Sequence, residues 1–138
     1  MQAMSGETGH GERTAAVVVA SYLAAFAGGD PDAIAAHVTA DFVNEHRSAL
    51  GASCHGRDEY RRRLPTFLEA FPRLHYEIVD LVADGNRVAV AYTLLAAPSG
   101  TTIRVPGAMF LTVVHGLVTH RLDTFDSLTY LRQTGQAD

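Results

Sequence analysis

Apolar residues recur at intervals of three and four up to Phe71 and at intervals of two after Pro72, and this change of period restricts the fold more than any other feature of the chain. In the second half, Leu74 to Ala83 and Arg87 to Ala97 alternate and are joined by Asp84-Gly85-Asn86, residues that accept the positive φ of a hairpin turn. Pro98-Ser99-Gly100 marks the next turn. Ile103, Val105, Met109, Leu111 and Val113 then alternate with Thr102, Arg104 and Thr112, and His115-Gly116 turns the chain into Leu117 to Phe125. Four strands in succession, each joined to the next by a short turn, predict an antiparallel meander.

The first half reads as helices. Ala16, Val19, Ala20, Leu23, Phe26 and Ala27 share one helical face that ends at Gly28-Gly29. Asp30-Pro31 supplies an N-cap followed by a residue that needs no amide, so a second, short helix should run to about His37. Phe42 to His46 is a short strand candidate, and Gly51 to Gly56 reads as turn and edge. Tyr60, Leu64, Phe67, Leu68 and Phe71 define a third helix from Arg57, which Pro65 should kink or divide.

Helices followed by long antiparallel strands make an α+β domain, with about three helices on the concave face of a strongly curved sheet. Residues 1–11 lack any apolar period and read as a flexible tail, leaving 12–135 as the domain. Such a sheet encloses a cone, and an unfilled end of the cone is a pocket. Phe26, Phe67, Phe71, Tyr92, Met109, Leu111 and Phe125 should converge inside it, which fits an apolar, ring-shaped molecule. The opposite face carries Val79, Leu81, Ala89, Ala91 and Leu95, too apolar to stay wet, so a homodimer through the outer face of the sheet is expected.

Composition excludes several classes. The net charge is −4 and the basic residues are scattered, which is no nucleic-acid footprint; the densest group, Arg57, Arg61, Arg62 and Arg63, falls on the solvated face of a helix. One cysteine, Cys54, permits no internal disulfide. The apolar run Ala15 to Ala27 has Glu7, Glu12 and a single Arg13 before it where a leader needs a positive segment, and it falls short of the ~20 residues that span a bilayer. A cytoplasmic protein without membrane contact is expected. His37, His46, His55, His75, His115 and His120 show no zinc spacing, and Gly28-Gly29 follow no strand, so neither a metal nor a phosphate-bearing cofactor is expected.

Three stretches carry a resemblance. "YLAAFAGGDPDAIAAHVTADF" looks like the first two helices of SnoaL-like proteins, members of the nuclear transport factor 2-like superfamily. "HGRDEYRRRLPTFLEAFPRLHYEIVDLVADGNRVAVAYTL" resembles their third helix and first long hairpin, and "HGLVTHRLDTFD" is similar to their last strand. The resemblance implies a cystatin-like roll, in keeping with the cone-shaped interior read from the periods. It leaves activity open, because the same fold hosts cyclases, isomerases, hydrolases and proteins without a known reaction.

Residue by residue, the resemblance puts Asp123 where polyketide cyclase-like and epoxide hydrolase-like members carry an inward aspartate in acid/base roles, and Phe125 on a pocket aromatic. Strand alternation then sets Arg121 and Thr119 on the same side. Tyr22 matches the tyrosine that ketosteroid isomerase-like members aim at an oxyanion. His46 takes the place of their general base, and Asn44 should point the same way. The departures are specific. The second acid of ketosteroid isomerase-like sites falls in Gly107-Ala108-Met109, the epoxide hydrolase-like Arg and Asp fall on Tyr92 and Leu94, and the common "HWD" reads Arg121-Leu122-Asp123.

Burial in an apolar cavity disfavours charge and would let Asp123 shuttle a proton, whereas Arg121 two residues away could instead tie it into a structural pair. The expectation is therefore a cofactor-free acid/base enzyme of cyclase, isomerase or hydrolase type, acting on a small apolar, polyketide-like or ring-shaped substrate. The alternative is a SnoaL-like protein that binds a ligand or dimerises without catalysis.

Overall fold

Helix α1 (Ala15–Ala25) starts where the Thr14 hydroxyl accepts the Val17 amide, and its apolar face buries Val18, Val19, Tyr22 and Leu23 completely or nearly so. A 3-10 turn over Phe26–Gly28 extends it to Gly29, whose φ of 68° suits a residue without a side chain. Asp30 then accepts the Asp32 amide and Pro31 opens helix α2 (Pro31–Ala35). This is a computed structural model that describes residues 13–138; the tail expected over 1–11 lies outside them.

Strand β1 (Val38–His46) follows at once, four residues earlier than the alternation of Phe42 to His46 announces. The short β2 (Cys54–His55) pairs antiparallel with it. Helix α3 (Arg57–Ala70) contains Pro65 without being divided by it. Its solvated face carries the arginines, with Arg61 Nε 2.6 Å from Asp32 and Arg63 Nε 2.7 Å from Glu59; such exposed pairs contribute about 0–1 kcal/mol each.

The meander is β3 (His75–Asp84), β4 (Arg87–Ala96), β5 (Ile103–Val114) and β6 (Leu117–Phe125). A last helix, α4 (Ser127–Gln133), is capped by Asp126 accepting from Thr129. The six strands form one open sheet in the order β2-β1-β6-β5-β4-β3. The sheet is mixed: β1 and β6 run parallel while every other pair is antiparallel. Helices pack on its concave side, and Phe26, Phe42, Ile34, Ile103 and Met109 are fully buried between the layers. Each such side chain contributes about 1.5–3 kcal/mol by leaving water.

Two bulges correct the parity read from the sequence. The register between β3 and β4 shifts between Ile78 and Asp80, leaving Val79 unpaired and exposed and placing Leu81 opposite buried Val90, packed against the core instead of on the outer face. Between β5 and β6, Thr112 pairs His120 while Val113 pairs Val118, which makes Thr119 the extra residue. Val118, Arg121 and Asp123 are therefore all buried, and Thr119 is not on their face; its hydroxyl meets that of Thr39 at 3.2 Å.

Candidate functional site

A cavity of about 510 Å³ lies between the concave sheet and helices α3 and α4, a volume typical of small-molecule sites. Its walls are mainly aromatic and aliphatic. Phe26, Phe67, Phe71, Tyr92 and Phe125 line it, as do Asn44, His46, Arg121 and Asp123. Tyr22, Met109 and Leu111 are buried behind the lining, in the core. Helix α4, which the sequence reading did not anticipate, adds Tyr130 and Leu131 to the rim.

The parallel register of β1 and β6 assembles the polar part of the wall. It sets Asn44 beside Arg121 and His46 beside Asp123, so two alternating pairs from strands far apart in sequence face one space. The loop after β1 is pinned to the end of β6 and the start of α4, because the Phe125 amide donates to Ser48 Oγ at 2.6 Å and the Leu50 amide to Ser127 Oγ at 3.2 Å.

Arg121, 4% exposed, is the centre of a buried network. Its Nη2 donates to Asp123 Oδ2 at 2.6 Å and to the Tyr76 hydroxyl at 3.3 Å, and its Nη1 donates to the Tyr22 hydroxyl at 2.8 Å. The Tyr92 hydroxyl donates to Asp123 Oδ1 at 2.7 Å, so both carboxylate oxygens are engaged. The guanidinium also lies 5.8 Å from the Phe26 ring centroid and 5.9 Å from those of Tyr22 and Tyr76. Burial works against its charge, but Tyr22, Tyr76 and Asp123 outweigh burial and hold its pKa well above the ordinary arginine value. Arg121 Nε has no partner among the described residues.

His46 contrasts with the doubly engaged carboxylate of Asp123. Its Nδ1 is buried without a partner and packs against Gly51, where a β-carbon would fall 2.9 Å from it, and φ of +103° already excludes most side chains. Nε2 makes no hydrogen bond to the described residues and belongs to a side chain that lines the cavity. Burial, aided by Arg121 and opposed by Asp123, lowers the imidazole pKa below its ordinary 6.5, so the ring is neutral at pH 7 and offers a lone pair. Asn44 Oδ1 is a third buried side-chain atom without a partner among the described residues. Burial pushes the neighbouring Cys54 thiol up, away from thiolate chemistry.

Sequence reasoning missed Tyr60 and Tyr76. Tyr60 sits at a helical core position and Tyr76 at an inward strand position, where a tyrosine reads as packing. The signal lay in their partners: Tyr60 OH is 2.5 Å from Tyr22 OH, which accepts from Arg121 Nη1, and Tyr76 OH accepts from Arg121 Nη2. Among the described residues no three His, Cys, Asp or Glu side chains stand together as a metal site, and no helix is long and apolar enough to cross a membrane.

Residues 19–121 match a family model described as a SnoaL-like domain. Comparison with curated proteins gives no match. Among solved structures, a protein with ketosteroid isomerase-like fold from Catenulispora acidiphila, in complex with trimethylamine, is similar with a TM-score of 0.78 and 23% identity over 86% of this chain and 92% of that one. A candidate polyketide cyclase from Xanthomonas campestris gives 0.76 and 23% over 86% and 95%, and an M. tuberculosis LEH-like epoxide hydrolase 0.74 and 19% over 86% and 87%. At these identities the structural likeness shows the fold.

Proposed function

The chain belongs to the SnoaL-like domain family, and on that premise we propose that it holds a small, mainly apolar organic molecule in its cavity and acts on it by cofactor-free acid/base chemistry, with His46 as the proton carrier. The observation that carries this reading is a neutral imidazole set in a mostly apolar wall, with Nε2 unused by the described residues. A polyketide-like or other ring-shaped substrate fits walls built from Phe26, Phe67 and Phe71, and the trimethylamine complex of a relative supports occupancy by an organic molecule. Asp123 then acts through Arg121 as a strut that positions the floor of the cavity.

The test is exchange of carbon-bound hydrogen. Protein in D2O, given 2-indanone as probe, should speed deuterium uptake at the carbons beside the carbonyl above the buffer rate, and His46→Gln should remove most of the acceleration. Binding of the probe without any acceleration would favour the second reading, a ligand-binding protein without catalysis, which the saturation of Asp123 by Arg121 and Tyr92 supports.

The outer face of the sheet is the proposed dimer surface. Val82 and Phe110 are 61% and 45% exposed and flank Ala89 across three paired strands. A second copy covering them would remove an apolar patch from water. The cytoplasm is the proposed location, consistent with one buried, unpaired cysteine.

A further inference from the structure

Two tyrosine protons in the cavity wall have no acceptor among the described residues, and the direction of the Arg121 network shows why. A guanidinium only donates, whereas a phenol hydroxyl donates once and accepts up to twice. Tyr22 accepts from Arg121 Nη1, is 0% exposed, and among the described residues has the Tyr60 hydroxyl as its one other polar partner. Were Tyr60 to donate to it, the Tyr22 proton would be buried unpaired, at a cost of about 1–3 kcal/mol. Tyr22 therefore donates to Tyr60, and the Tyr60 proton is left over. Tyr76 likewise accepts from Arg121 Nη2, and its proton has no acceptor among the described residues. Both tyrosines line the cavity.

We propose that the Tyr60 and Tyr76 hydroxyls form a paired donor site for one oxygen of the ligand, so that the cavity takes an apolar ring system bearing a carbonyl or enolate-like oxygen at the end nearest Arg121. Polarity runs outward from the buried cation, through Tyr22 to Tyr60 and directly to Tyr76, and ends at the cavity. Both groups keep their protons over the working range: burial holds Tyr60 well above the ordinary tyrosine value and pushes Tyr76 up to about 12. Negative charge developing on the bound oxygen would meet two donors already polarised by the cation behind them.

The inference rests on the cavity reading above, and the experiment separates the two. Calorimetric titration of the whole protein with 1-indanone and with indane, which differ by one carbonyl, should show the ketone binding about tenfold more tightly. Tyr60→Phe and Tyr76→Phe should each weaken 1-indanone by about three- to tenfold, the loss expected for one hydrogen bond, and leave indane within twofold. Unchanged indane binding also shows that the variants are folded. Equal affinity of the wild type for both probes, or a ketone preference that survives both substitutions, would overturn the donor pair while leaving the cavity standing. Failure of both probes to bind the wild type would overturn the cavity reading and the donor pair with it.

Discussion

Gly107 stands opposite Tyr92 on the neighbouring strand, and a β-carbon on it would fall 2.3 Å from the Tyr92 hydroxyl oxygen. The phenol thus lies across the glycine to reach Asp123, and the absence of a side chain at 107 is part of the site. Gly107→Ala should push Tyr92 off Asp123, leaving a buried carboxylate oxygen unpaired and costing about 1–3 kcal/mol, read as a lower denaturation midpoint. An unchanged midpoint would show that Tyr92 has room elsewhere.

Asp123→Asn keeps the shape but removes the counter-charge of a guanidinium 4% exposed. Breaking one side of a buried ion pair typically costs about 3–5 kcal/mol. The variant should melt far below the wild type, and Asp123→Asn combined with Arg121→Met should recover part of the loss because no orphan charge remains. A variant that melts normally yet loses catalysed exchange would return Asp123 to an acid/base role.

His46→Gln should lower catalysed exchange by about 10²–10⁴-fold with little change in probe affinity, as loss of a proton carrier does. In the wild type the rate should rise with pH through a midpoint below 6.5 and be level at pH 7, because the neutral imidazole is the active form. Stability has the same sign. The folded pKa lies below the unfolded one, so the unfolded chain takes up the proton first, and stability falls as pH drops from about 6.5 toward the folded value. His46→Gln should remove that part of the pH dependence of melting; a slope identical to the wild type would contradict the lowered imidazole.

Phe110→Glu should shift sedimentation at micromolar concentration from dimer to monomer without lowering the melting midpoint of the subunit's own core, since Phe110 points away from it. A wild type that sediments as monomer would remove the dimer altogether.

The meander and the three leading helices were legible because each rests on a local pattern. Asp30-Pro31 and Asp84-Gly85-Asn86 punctuate the chain, and the periods of three to four and of two lie between them. What needed the structure was non-local. Nothing near Asn44 announces that it will lie parallel to Arg121, and the Leu81 face was misread because a bulge at Val79 cannot be seen in an alternating run. Helix α4 is seven residues long, too short for its period to stand out, although Asp126 three residues before Thr129 is the cap that could have marked it. For the site, the residue types at 123, 46 and 44 were legible, but the partners that saturate one and leave another free depend on Tyr60, Tyr76 and Tyr92 arriving from three different elements.

The unpaired Thr119 works within β6 as a shifted reading frame works within a gene. Upstream of it one set of alternating positions faces inward, downstream the other, and Arg121 and Asp123 belong to the set it brings in. Loss or gain of one residue at that point exchanges the inward set for its neighbours, Leu122 and Thr124, with the strand still hydrogen-bonded on both sides. Which side chains face the cavity is therefore set by one inserted residue as much as by the residue types around it.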